Sequence, residues 1–332
     1  MTSLTGFAGA LPDAHGRPPG LPLRALALGA AWLALAAATY ALPEDGDFPT
    51  TAAFAAIALG LGLVLPLLVA RSAHLGRAGA SLAHWTPWLT LLALALTAWE
   101  LITAKFALLP MPFFPPPQAI LEVFLEDWPR LGGSILASLK LLAGGYLIGA
   151  GLGFGLGVAI GWSKAVGYWA HPILRFVGPL PATAWLPMAF FVFPSSWSAS
   201  TFLIALATGF PVTVLTWSGV AGVNKAYFDV ARTLGASPAF LVLRVAVPAA
   251  LPHVFVGLFM GLGGAFAVLV VAEMLGVKSG LGWYLQWAQG WAAYANMYAA
   301  LIVMALMCSG LITLLFRLRD RVLSWQKGLV QW

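Results

Sequence analysis

The chain has 332 residues, of which 61% are hydrophobic and only 8% charged, with a formal net charge of +6. Soluble domains carry roughly 25% charged residues, so this composition excludes a water-exposed globular surface and marks an integral membrane protein. The positive balance is not a nucleic-acid signature, because lysine and arginine gather at one set of membrane borders.

A helix crosses a bilayer with about 20 apolar residues. Runs of that length fall at about 23–42, 50–70, 87–108, 135–161, 174–193, 200–221, 251–272 and 295–316, estimated from the required length. They predict an all-α membrane protein of about eight spans. The runs are continuous rather than alternating, which favours helices over a barrel. Arg17 and Arg24 before the first run, with Ala38 and Ala41 at its end, also fit a signal peptide. The length of that run and the acidic loop after it favour a retained anchor.

The connections set the orientation. The first is acidic (Glu44, Asp45, Asp47) and the second basic (Arg71, His74, Arg77, His84). The third holds Glu122, Glu126 and Asp127 against Arg130, and the fourth has Lys164 with Arg175 near its far border. The fifth, around Ser195–Ser198, is uncharged, and the sixth has Lys225, Arg232 and Arg244 against Asp229. The seventh has Glu273 and Lys278, and the tail carries Arg317, Arg319, Arg321 and Lys327 against Asp320. Basic residues predominate on the even side, so the positive-inside rule places both termini and the sixth connection in the cytoplasm.

Within the second core run, Gly145, Gly149, Gly153, Gly157 and Gly161 recur every fourth residue. On a helix they form one flat stripe, suited to close backbone approach in lipid. Glu100, Lys105, Lys140 and Glu273 are charges near membrane depth, where ionisable residues are costly and default to a functional reading. Glu100 and Lys105 read as structural, either a pair or side chains snorkelling to the headgroups. Lys140 and Glu273 divide evenly between structural roles, such as snorkelling, and a place on a translocation pathway or gate. Gln286 and Gln289, beside Trp287 and Trp291, are further candidates for an outer mouth. Cys308 is the only cysteine, so no internal disulfide forms. Gly276-Val277-Lys278-Ser279 lacks the glycine that a phosphate loop needs before lysine. The five histidines are scattered without metal-ligand spacing.

The sixth connection resembles the cytoplasmic EAA loop of ABC importer permeases. That pattern is Glu-Ala-Ala, three residues, Gly, nine residues, Ile, one residue, Leu-Pro. This chain keeps the spacing with Asp229-Val230-Ala231, Gly235, Val245, Val247 and Pro248. Other segments resemble the nitrate/sulfonate/taurine/bicarbonate branch of these permeases. They are Trp99-Glu100-Leu101, Pro115-Pro116-Pro117, Ser138–Leu142, Pro179–Pro187, Ala272-Glu273 and Gly280-Leu281-Gly282. Phe193-Pro194-Ser195-Ser196 departs from the glycine-containing turn usual there. The similarity covers roughly residues 88–328, by the extent of these motifs.

The resemblance implies a six-helix type I ABC importer core over 87–328, with a coupling loop at 224–250 and a two-helix extension over 1–86. It implies that Asp229, Val230, Ala231, Arg232, Gly235, Ala236 and Pro248 couple the chain to an ATPase. A short surface helix is then expected, with Asp229 near its start and Gly235 at positive φ ending it. Pro248 and Pro252 are expected to terminate the element. The chain would not be an enzyme: ATP and Mg belong to two separate ATP-binding subunits. A second permease copy, a periplasmic or lipid-anchored binding protein and membrane lipid complete the partners, in a bacterial inner membrane. The solute class implied is a small oxyanion such as nitrate, a sulfonate or bicarbonate. An ion-gradient-driven secondary transporter is the alternative, and it needs carboxylates or histidines deep in the bundle. No acidic residue falls at a predicted midplane. A membrane-embedded enzyme lacks any nucleophile–base arrangement.

Overall fold

A computed structural model describes residues 21–44, 46–109 and 111–326. The expectations on Arg17, Asp45, the Arg77 side chain and Lys327 lie outside what is described. Every regular element among the described residues is helical. Seven helices are long and apolar enough to cross a membrane, and a bent pair makes an eighth if it counts as one span. The described residues up to Trp128, with Ala292–Ala299, form one compact unit; Pro129–Trp291 and the residues from Ala300 form the second.

In the first unit, α1 (Leu21–Ala41), α2 (Thr51–Ala70) and α3 (Gly76–Glu100) pack around Leu28, Trp32, Leu35, Ala58 and Ala93. A π-helical turn, Leu101–Lys105, extends α3, so the expected span at 87–108 begins eleven residues early and ends slightly sooner. The turn carries Lys105 to the end of α1. Its Nζ donates to the Thr39 and Leu42 carbonyls at 2.7 and 3.0 Å. These are last-turn carbonyls with no helical partner of their own, where a cation also suits the helix dipole. The same ammonium lies 3.5 Å from Glu44 and 3.6 Å from Glu100. Gln118, on α4 (Pro117–Glu126), donates to Glu100 at 3.2 Å. Of the two structural readings, Glu100 and Lys105 thus take the pair, with Glu44 as a third charged member.

The second unit is built around α8 (Ser196–Ala221). α5 (Trp128–Trp162) lies along it through the glycine stripe. Gly145 faces Thr201 and Ile204, Gly149 faces Ala205 and Thr208, Gly153 faces Gly209 and Val212, and Gly157 faces Thr213 and Thr216. Gly161 ends the series against Trp217 and Val220. Both series rise together, so the two helices run parallel. A Cβ on Gly153 would stand 2.6 Å from the Gly209 carbonyl oxygen. Thr208 and Thr213 face this seam and satisfy their hydroxyls on the Ile204 and Gly209 carbonyls one turn back, whereas the buried Thr216 hydroxyl beside Gly157 has no hydrogen-bond partner among the described residues.

Between α5 and α8 the expected straight span over 174–193 is broken. α6 (Lys164–Val177) and α7 (Leu186–Val192) meet at 86°, joined through Gly178–Pro181 and a 3₁₀ turn at Ala182–Trp185. Pro179 and Pro181 offer no N–H to a helical ladder, so an apolar run of adequate length does not make one helix. A capping box between Ser195 and Ser198 then starts α8, which accounts for the unusual Phe193–Ser196 turn.

Past α8, α9 (Lys225–Thr233) and the one-turn α10 (Pro238–Phe240) lead through a π-helical stretch, Leu241–Ala246, into α11 (Val247–Leu275). The expectation that Pro248 and Pro252 terminate the element is wrong. Pro248 sits in the first turn of α11 and Pro252 inside it, and the helical path is continuous from Pro238 to Leu275. The π-helical geometry lets the ladder absorb missing N–H donors. α11 returns antiparallel along α8 through its own small residues, Gly257 against Val212 and Gly261 against Thr208.

α12 (Leu281–Gly290) is pinned by a buried clip. Glu273, 1% exposed, accepts from the Ser138 hydroxyl at 2.7 Å and from the Gly282 amide at 2.8 Å. Ser138 in turn accepts from the Leu281 amide at 2.8 Å. Two orphan donors at the start of α12 are thereby satisfied. Gly280 has φ +103°, and a Cβ there would collide with the Glu273 carboxylate. α13 (Tyr294–Val322) closes the chain, with its first turns in the first unit.

Two substitutions on one helix separate packing from propensity. Gly153→Leu is expected to destabilise by about 1–3 kcal/mol or more through overpacking. Gly151→Ala, where a Cβ meets open space, should change stability by no more than about 1 kcal/mol. Thermal unfolding in detergent compares them. In the same assay Glu273→Ala should cost about 1–3 kcal/mol, because buried donors lose their acceptor.

Candidate functional site

The sequence-marked residues converge on α9 and the turn after it. Asn224 caps the helix, its side-chain oxygen accepting from the Ala226 amide at 3.0 Å. Asp229 therefore stands mid-helix, not near the start as expected. It makes an exposed pair with Arg232 at 3.2 Å, a contact worth little in water. The helix ends as anticipated at Gly235, φ +80°. The Gly235 amide donates to the Arg232 carbonyl at 2.9 Å and the Ala236 amide to the Ala231 carbonyl at 3.0 Å. This doubly bonded left-handed cap brings the small side chains of Ala231 and Ala236 to the same corner. A Cβ at Gly235 would meet nothing within 4 Å, so the surface beside it is open.

One side of α9 is anchored. Phe228 packs against the buried cluster of Val220, Ala246 and Ala250, which Val158 also joins, with its ring 5.9 Å from that of Trp162. The helix is thereby seated on α5, α8 and the lower end of α11 together. The other side is apolar yet uncovered: Tyr227, Val230 and Leu234 are exposed, Leu234 by 82%. They fall at i, i+3 and i+7, one helical face. Three exposed apolar side chains on a helix already seated by a fourth form an apolar face that the described residues leave uncovered. Motif spacing pointed to Asp229, Val230, Ala231, Arg232, Gly235 and Ala236 and missed Phe228 and, of this stripe, Tyr227 and Leu234. The i, i+3, i+7 pattern was the available signal.

The remaining candidates are dispersed. Pro248 lies half-buried on α11, away from the cap. Lys140 is exposed on α5, and Gln286 and Gln289 are exposed on α12. Glu273 departs from the pathway reading, because its carboxylate is enclosed in the clip and committed to donors of this chain. Trp287 is covered by the Arg130 guanidinium at 4.4 Å, a cation–π contact.

The chain is similar to known membrane transport proteins. Residues 151–326, which include the broken span, α8, α9 and α11, match the family of binding-protein-dependent transport system inner membrane components. A probable ABC transporter permease protein of Brucella abortus is 32% identical over 237 residues, 71% of this chain and 93% of that protein. The nitrate import permease protein of Synechococcus elongatus is 29% identical across 75% of this chain and 91% of its own length. The taurine transport system permease protein of Escherichia coli is 31% identical across 70% and 87%. By this match and these relatives, and in keeping with its multi-pass helical bundle, the chain belongs to the binding-protein-dependent inner membrane permeases of ABC transporters.

Proposed function

We propose that this chain is the membrane-spanning subunit of an ATP-driven importer, and that α9 with its Gly235 cap is where an ATP-binding subunit docks. The observation that carries the reading is the two-sidedness of α9. Phe228 fixes it to three helices of the bundle, while Tyr227, Val230 and Leu234 face outward without cover. A partner gripping the outer side would move the ends of α5, α8 and α11 together. Ala231, Ala236 and Gly235 keep the corner low enough for close docking, and Asp229 and Arg232 supply a polar rim. Both termini and α9 lie in the cytoplasm of a bacterial inner membrane, on the charge asymmetry of the loops. ATP and Mg belong to the partner, two copies of which serve a pair of permease chains with twofold symmetry. A binding protein delivers the solute from outside, and nucleotide binding biases the pair between inward and outward access. A small oxyanion is the solute class, in keeping with the nitrate and taurine relatives. Lys140, exposed and cationic on α5, suits attraction of such a solute.

The test is ATPase activity of the co-expressed complex in lipid discs with binding protein present. Gly235→Asn, a residue that tolerates the left-handed region, should retain stimulated turnover within about twofold, corresponding to less than ~0.5 kcal/mol. Gly235→Trp should lose it by about tenfold or more, together with co-purification of the ATP-binding subunit. Equal activity in both variants contradicts docking at this corner.

A further inference from the structure

One end of the first unit collects cations that no carboxylate of its helices meets. α1 and α2 run antiparallel, with Gly29 against Pro66 and Gly62 against Leu33. That register sets Arg24, in the first turn of α1, level with Arg71, which directly follows α2. Gly79 abuts the Ser72 backbone, so the start of α3 stands at the same end. Both arginines are exposed, as is His74 on the turn between α2 and α3. Neither arginine side chain forms an ion pair or hydrogen bond among the described residues. The sequence has no acidic residue from Leu21 to Pro43 or from Phe48 to Trp99. Glu44, Asp47 and Glu100 all lie toward the opposite end of these helices. In the second unit, by contrast, Arg232 and Arg319 each have an aspartate.

Charge bias across a membrane requires only that basic residues gather on one side. It does not require two arginines on neighbouring helices to stand level without a counterion. Trp85 and Trp88 on α3 are exposed, and at the rise of a helix they lie about 9 and 14 Å deeper than Gly79. Exposed tryptophans at a helix end mark the membrane–water interface, so the arginines stand at headgroup depth. Leu67 and Val64, one and two turns below Arg71, are exposed and apolar. We propose that this end of the first unit binds an anionic phospholipid, with Arg24 and Arg71 sharing its phosphate oxygens and its chains lying along α2. The planar fork of arginine matches two oxygens of a phosphate, and basic clusters at helix ends take anionic headgroups. A free phosphate ester offers the same oxygens but has nothing to place on the wall below them. A second copy of this chain would bring arginine to arginine through this face, where no acid stands.

The experiment is native mass spectrometry of the full chain released from discs of equal parts phosphatidylcholine and phosphatidylglycerol. Wild type should retain phosphatidylglycerol in preference to phosphatidylcholine. Arg24→Gln with Arg71→Gln should lower that preference about tenfold or more. Arg24→Lys with Arg71→Lys should lower it less, since point charges without the fork remain. Arg317→Gln with Arg321→Gln removes the same charge from the end of α13 and should leave the preference within about twofold. Monodisperse elution and the thermal midpoint report folding of each variant. If the glutamine pair at 24 and 71 does not fold, the lysine pair carries the comparison with wild type. Glycerol phosphate, the headgroup without chains, is added in excess and should leave the lipid in place. No preference in wild type, an unchanged preference in the folded variants at 24 and 71, or an equal loss in the α13 variant overturns the proposal. Displacement by glycerol phosphate assigns the site to a free phosphate ester and overturns it too. So does loss of the retained lipid on assembly with the co-expressed ATP-binding subunit, which assigns the face to that protein.

Discussion

The second unit depends on how closely helix backbones approach α8. In lipid there is no gain from burying one apolar surface against another, so helices associate through contact area and close fit. α8 receives the glycine stripe of α5 on one side and Gly257 and Gly261 of α11 on another. At Gly149, Gly153 and Gly157 the space for a side chain is already filled by α8 backbone or by Thr208 and Thr216. The same tightness has a mechanical consequence. Helices packed at backbone distance move as a body, and α9 is seated by Phe228 on the ends of all three. A push at α9 is then delivered to a rigid group and not dissipated in side-chain rearrangement.

Much of this was legible in the sequence, and the gaps have physical causes. The four-residue recurrence of glycine predicted a packing face, and the face it meets runs in register along α8. What a single helix could not reveal is its partner, nor that α11 contributes a second set of small residues, Gly257 and Gly261, at the same four-residue spacing. Hydropathy found the run at 174–193 but not its 86° break, because window averages ignore that Pro179 and Pro181 cannot donate. The opposite error arose at Pro248 and Pro252, where proline was taken as a stop although the preceding π-helical stretch carries the helix through. Proline marks a missing donor; whether the chain bends depends on what replaces it.

The charged residues show a further limit. Ser138, Glu273 and Gly280–Gly282 entered as three separate segments of family resemblance. In the structure they form one buried clip, with a carboxylate satisfying the start of α12 and a glycine at positive φ making room for it. A lone glutamate near membrane depth invites a pathway role, and only its partners show that its oxygens are occupied. Glu100 and Lys105 could be read as structural from their place near the membrane border, whereas Glu44 and the α1 carbonyls that complete the network lie more than sixty residues from Lys105 in sequence. Asp229 was found by motif and Phe228 was not, since a motif records spacing and not which side of a helix is already occupied.

The central claim is that the outer side of α9 meets an ATP-binding subunit. Site-directed cross-linking tests it most directly. With Cys308 replaced by serine, a cysteine is introduced at Leu234 in one variant and at Leu147, also exposed in the isolated chain but on a membrane-spanning helix, in another. The co-expressed complex is then treated with a short thiol-to-amine cross-linker. The account predicts a cross-linked band with the ATP-binding subunit from Leu234→Cys and none from Leu147→Cys. No band from Leu234→Cys in an assembled complex, or equal bands from both, would contradict it.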